Sequence, residues 1–338
     1  VPNFRTGTVT KILSKRAGLQ RVEVDDEPAY VLTDLVDEVG VGDRVIINTT
    51  AVDLGLGTGG WHVVHWNLEC EQLGISGGSG HVMKLRYTSL QTATGVAEED
   101  GLEADGLANT PVIALALHSQ LGPAVAAVKM QEPDARVAYV MTDAGSLPLA
   151  LSDLVADLTQ AGLLDGTVTC GHAFGGNLEA VNVRSGLAVA RQRLRADVIL
   201  VGMGPGSVGT GTTTGFSGLE VGATIDAVND AGGRAIAALR VSDADRRPRH
   251  QGVSDHSRTV LRTAVHTPVT VAVPVGTVDV PDLGNHATVV EVEVPDALGV
   301  LAHHGITPTT MGRGADADPR PFSFAAAAGA YAAHLLDR

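Results

Sequence analysis

Aromatic residues make up only 3% of this 338-residue chain, which excludes a stacking platform for single-stranded nucleic acid. Basic residues are also short, 24 Lys and Arg against 38 Asp and Glu, for a formal net charge of −14. A general nucleic-acid binder needs clustered cations against phosphate, so that class is excluded too. Only two cysteines occur, Cys70 and Cys170, which is no disulfide framework and fits a reducing cytosol. No apolar run approaches the roughly 20 residues that cross a bilayer, and the opening residues carry no apolar signal core. The expectation is a cytoplasmic protein with neither a membrane nor a nucleic-acid partner.

Glycine, by contrast, is frequent, at 41 residues, and clustered. Residues 202–218 hold seven glycines and four threonines directly after the apolar run 197–201. A strand that ends in such a loop and then enters a helix can gather several backbone N–H groups around one anion. Glycine lets that backbone approach a phosphate closely. Gly202, Gly204, Gly206, Gly209, Gly211 and Thr212 are therefore candidate ligand contacts. Gly204 through Gly209 satisfies G-x-G-x-x-G, but the helix is expected only near Ser217, too late for a dinucleotide fingerprint. The acidic residue expected about 20 positions on is missing as well. A Walker loop fails because Thr212 stands where Lys is required. An anion or phosphate site remains, against a plain βα loop, and no cofactor is specified.

Residues 1–92 read as short β-rich runs split by Gly, Asp and Pro, which predicts a small all-β, barrel-like domain. Residues 93–109 are acidic and glycine-rich and read as a linker. From 110 to 338 apolar strand-like runs at 111–117, 136–142, 167–170, 197–201, 234–241 and 268–273 alternate with helix-compatible segments. That alternation predicts an α/β, Rossmann-like, doubly wound parallel sheet. A further strand at 287–294 and an Ala-rich final helix at 322–336 extend it, and that helix is a candidate homodimer contact.

The helix-to-strand connections are short and plain. The strand-to-helix connections hold nearly all the reactive side chains, and ligands of open α/β sheets bind at that edge. There Asp143, His172 and His250 are the candidate catalytic groups. Arg247 and Arg249 can clamp a phosphate or carboxylate, and Arg313 can add a cation. Each has a plainer reading: Asp143 and Asn177 as helix caps, Ser254 as the cap of the helix at 255, the arginines as solvated charge. His250, Asp255 and His256 could ligate a metal, but no fixed ligand spacing supports one and none is assigned. The elbow-like match at 74–78 is dismissed, since a strand, not a helix, follows at 80–85.

Several segments together resemble an uncharacterised bacterial family of unknown function, DUF3866. They are 48–60, the run Gly80-His-Val-Met-Lys-Leu-Arg-Tyr87, the 202–218 loop, and Arg249-His-Gln-Gly-Val-Ser254. The resemblance spans nearly the whole chain and implies no activity. It directs attention to the first domain, where Lys84 and Arg86 join the list of candidate ligand contacts. A fainter resemblance links Val201-Gly-Met-Gly-Pro-Gly206 to the strand-end turn of tetrapyrrole methyltransferases, which helps hold S-adenosylmethionine.

The function expected is an enzyme acting on a phosphorylated or nucleotide-like anionic small molecule. The alternatives are a non-catalytic sensor using the same cleft, a homo-oligomeric partner-binding protein, and an S-adenosylmethionine-dependent methyltransferase.

Overall fold

The computed structural model describes residues 2–57, 59–74, 82–102 and 106–336. Residues 75–81, where the dismissed elbow match and the start of the 80–85 run fall, lie outside the described residues, as does Thr58. The chain divides into two compact units, Val1–Thr94 and Gly95–Arg338.

The first unit holds β1 (Phe4–Arg16), β2 (Leu19–Val24), β3 (Glu27–Val31), α1 (Thr33–Val36), β4 (Arg44–Asn48), α2 (Thr50–Asp53) and β5 (His62–Asn67). The five strands close into a barrel in the order β1-β2-β3-β5-β4. β1 makes closure possible by pairing with β4 through its first half and with β2 through its second. Register shifts after Val9 and Ile12 bend the strand between those partners. Alternating residues such as Val22, Val24, Val45 and Ile47 point inward and are fully buried. A hairpin of β6 (Val82–Lys84) and β7 (Thr92–Thr94) completes the unit. Lys84 is buried in β6 and Arg86 follows that strand.

The second unit runs β8 (Pro111–Leu115), α3 (Leu121–Gln131), β9 (Val137–Thr142), α4 (Asp153–Gln160), β10 (Gly166–Thr169), β11 (Leu178–Glu179), α5 (Val183–Gln192) and β12 (Val198–Met203). It continues with α6 (Glu220–Asp230), β13 (Arg234–Ala238), β14 (Val241–Ser242), β15 (Gly252–Val253), α7 (Asp255–Thr259), β16 (Val269–Pro274), β17 (Ala287–Val292), α8 (Ala297–His303) and α9 (Arg320–His334). Eight strands form one parallel sheet in the order β11-β10-β9-β12-β8-β13-β16-β17. Part of the segment read as a linker, Ala97 and Leu107, packs in this unit's core.

The order fixes where a crevice forms. From β8 and β9 the chain moves one way along the sheet; from β12 and β13 it moves the other way. Right-handed crossovers therefore send α3 and α4 to one face and α5, α6 and α7 to the opposite face, as the two apolar clusters show. β8 lies between β12 and β13, so the loop leaving β8 goes to one face and the loops leaving its two neighbours go to the other. This is the topological switch point, where an α/β sheet opens a crevice at its carboxyl edge.

α9 covers α3. Phe322, Phe324, Ala325 through Ala330, Ala332 and Ala333 are all buried, so the helix is enclosed almost all round. Gly329 lets it approach the α3 backbone at Ala124, where a Cβ would collide. The apolar surface of this helix, expected as a homodimer contact, is used inside the unit. Among the described residues no helix is long and apolar enough to cross a membrane.

Candidate functional site

At the carboxyl ends of β8, β12 and β13 lies a cavity of about 170 Å³. Its floor is apolar: Leu117, Phe216, Val221, Leu239, Val260 and Leu261. Its polar lining is Arg240, Arg247, Arg249 and His256, with Ser207 and Gly209 from the glycine loop. Val260 opens a single π-helical turn, residues Val260–Ala264, that continues α7. Gly222 on α6 allows the close approach of that turn, since a Cβ there would meet Ala264.

Two of these arginines, Arg240 and Arg247, are held by one carboxylate. Asp245 receives Arg247 bidentately, Nε to Oδ1 at 3.0 Å and Nη2 to Oδ2 at 2.9 Å. Arg240 Nη2 reaches the same Oδ2 at 3.4 Å. Asp245 is only 4% exposed. Its hydrogen bonds from Arg247 hold it far below the usual carboxylate range. Arg240 is pushed down to about 10, first by burial and then by its neighbour Arg247. Arg249 forms no ion pair with a carboxylate among the described residues; its Nε donates to His250 Nε2 at 3.2 Å.

His250 is fully buried, and burial with the nearby Arg240 lowers its pKa to about 3. The neutral ring accepts from Arg249 at Nε2, so its proton is on Nδ1 and is donated to Ser254 Oγ at 2.7 Å. Ser254 Oγ also accepts from the His256 backbone N–H at 3.2 Å, which is the expected cap of α7. Both nitrogens of His250 are thus used in fixing Arg249 and the start of α7. His250, expected as a catalytic group, is not among the residues that line the cavity. His256, half-buried, lines the cavity instead. Its ring stacks on Phe216, and burial followed by the charge of Arg240 lowers its pKa to about 4.

The glycine loop divides into parts with different tasks. Gly202 and Gly204 are packing glycines: a Cβ on Gly202 would meet Leu115, and one on Gly204 would meet the Ser146 carbonyl. Gly206 turns the chain at φ +89°. From Thr210 to Gly215 the loop bonds itself, with Thr210 N donating to Gly215 O and Thr212 N to Thr210 Oγ1. Gly211 and Thr212 therefore do not face the inner cavity; they line a neighbouring depression. Of the expected loop contacts only Gly209 lines the inner one.

Asp143 and His172 are brought together, though not at this cavity. Asp143 Oδ2 accepts the His172 backbone N–H at 2.9 Å and fastens the β9 and β10 loops. Asn177 likewise caps no helix; its Oδ1 accepts from Thr167, and Asn182 caps α5. Arg313, expected to reach a ligand, donates to Asp318 and Ser242, each at 3.3 Å. Lys84 and Arg86 belong to the other unit.

Two groups of unusual character stand outside the expected list. Glu220, at the start of α6, is raised to about 7 by burial, against the hydrogen bond it accepts from Thr142. His118 is lowered to about 4 by burial. Its neutral ring donates from Nδ1 to Met203 O at 3.2 Å and accepts at Nε2 from Ser152 Oγ, 2.7 Å away. It lines a separate depression of about 400 Å³ beside Gly204 through Ser207. Among the described residues no cluster of His, Cys, Asp and Glu is arranged to hold a metal.

The fold and crevice define a Rossmann-like α/β protein preceded by a small β-barrel. The family model described as "Protein of unknown function (DUF3866)" matches residues 28–329, and the chain belongs to that family. No curated protein and no solved structure matches it.

Proposed function

We propose that this chain is a cytosolic protein that binds a phosphorylated or nucleotide-like anionic small molecule in the crevice at the ends of β8, β12 and β13. One observation carries the reading. In a chain of net charge −14, residues 240–262 hold six arginines against three aspartates. Three of those arginines, Arg240, Arg247 and Arg249, line one apolar-floored cavity with a single carboxylate, Asp245, between them. Arginines so placed in a low-dielectric wall draw a phosphate strongly and hold it with charge-assisted bonds. As an enzyme the site would rely on His256, the neutral imidazole that lines it, for proton transfer. A non-catalytic sensor is favoured by a second observation: the cavity lining contains no carboxylate, and the strongly shifted Glu220 and His118 lie outside it.

A thermal-shift screen tests the reading. It covers nucleotides, phosphorylated metabolites and S-adenosylmethionine, with Arg249→Ala as the control protein. Ligand at about 100 times its Kd adds about 2.7 kcal/mol of stability. A shift with a phosphorylated compound that disappears in Arg249→Ala supports the reading. No shift with any anion, or one that survives the substitution, overturns it. A shift with S-adenosylmethionine alone moves the methyltransferase alternative to the front.

A further inference from the structure

The inner cavity continues past Arg249. Arg249 and His256 also line a second, outer depression of about 460 Å³. Its other walls include Thr212 and Thr213 from the glycine loop and Arg258 and Arg262 from α7 and the π turn. His256, which lines both spaces, is held by its face-to-face contact with Phe216 and by the Ser254 cap at its backbone N–H.

The outer depression is cationic as well. Three arginines face one carboxylate in its lining, Asp255, which pairs with Arg258 Nη1 at 3.1 Å. Arg258 Nε is buried and has no hydrogen-bond acceptor among the described residues. Among the described residues the ion-pair partner of Arg262 is the exposed Asp282, at 3.3 Å. Ion pairs this exposed are weak, so both guanidiniums are available to a stronger anion. The inner space, by contrast, sets its arginines over an apolar floor that includes Phe216, Val260 and Leu261.

Resting on the reading of the inner cavity as a phosphorylated-ligand site, we propose that the ligand is polyphosphorylated, of the nucleoside diphosphate or triphosphate kind. Its apolar portion lies in the inner cavity against Phe216 and Val260. Its first phosphate sits at the shared Arg249, and the further phosphates run outward over Arg258 and Arg262. Thr212 and Thr213 of the glycine loop then serve the outer phosphates.

Titration calorimetry with matched probes tests the proposal. The probes are inorganic phosphate, pyrophosphate and tripolyphosphate, and each common nucleoside 5′-monophosphate paired with its 5′-diphosphate. The proteins are the unmodified chain, Arg262→Gln, and Arg184→Gln as a surface-charge control away from the site. The expected result is that a diphosphate binds at least about tenfold tighter than its monophosphate partner (about 1.4 kcal/mol). That ratio falls toward one in Arg262→Gln and is kept in Arg184→Gln. A monophosphate that binds with no gain for the diphosphate overturns the proposal and leaves the inner-cavity reading standing. A gain that persists in Arg262→Gln also overturns it. Binding of no probe removes both.

Discussion

Phe216 and His256 lie face to face, with ring centroids 3.8 Å apart and planes 8° from parallel. Phe216 comes from the end of the glycine loop and His256 from the first turn of α7. Their contact joins the two segments that wall the cavity, and the neutral state of His256 suits a stack against an aromatic face. Truncating Phe216 to Ala is expected to destabilise the chain by about 3–5 kcal/mol, since the ring is largely buried. Phe216→Leu keeps most of the volume and should cost less than about 1.5 kcal/mol. Chemical denaturation of both variants checks the order, and equal losses would mean that the ring packs little.

Three histidines give the fold a definite pH dependence. His118 and His256 are lowered from 6.5 to about 4, and His250 from 6.5 to about 3, each chiefly by burial. In this window the unfolded chain binds protons that the folded chain refuses, so stability is present above about 6.5 and is lost as pH falls. Calorimetric Tm is expected to drop steadily from pH 6.5 to 4. A Tm that is flat or rising over that interval contradicts the buried, neutral assignment.

Glu220 works with the opposite sign. Its carboxyl is raised from 4.5 to about 7 by burial, so the folded state holds a proton that the unfolded chain releases. Its contribution is complete below about 4.5 and is lost as pH rises through 7. Compared with Glu220→Gln, whose side chain stays neutral, the unmodified chain should lose relative stability between pH 4.5 and 7. The acid slope of the variant should also be steeper, because the opposing group is gone. A difference in Tm that does not change with pH would show that Glu220 is ionised throughout.

The glycine loop should divide in its response to alanine. A Cβ on Gly202 meets Leu115 Cβ at 2.9 Å, and one on Gly204 meets the Ser146 carbonyl oxygen at 2.5 Å, whereas nothing lies within 4 Å of Gly211. Overpacking predicts losses of about 1–3 kcal/mol for Gly202→Ala and Gly204→Ala. Gly211→Ala should stay within about 0.5 kcal/mol of the unmodified chain. Urea midpoints measure all three, and a uniform response would remove the distinction between packing and surface glycines.

Much of the architecture was legible because it depends on local pattern. The apolar runs and intervening helical segments gave the parallel sheet, and the Ser254 cap followed from its own hydroxyl and the helix start. The carboxyl-edge rule placed Arg247 and Arg249 near a crevice. What could not be read depends on contacts between distant segments. Nothing in the sequence near Asp245 reveals that one carboxylate serves Arg240 as well as Arg247. The Glu220 shift arises from burial against β9, where Thr142 contacts it. The same holds for His250, whose reactive appearance in sequence gives way to two committed ring nitrogens. The Ala-rich α9 looked like an exposed surface because small residues do not announce how closely a neighbouring helix will approach. Gly329 against Ala124 decides that point.

The central claim is that an anion occupies the cavity walled by Arg240, Arg247 and Arg249. Anomalous diffraction from crystals soaked in tungstate, a heavy analogue of phosphate, addresses it most directly. The account predicts a tungsten peak within charge-assisted bonding distance of Arg249 and Arg247, absent from crystals of Arg249→Ala. Tungsten bound only elsewhere, at the Asp143 and His172 loops or beside His118, would contradict it.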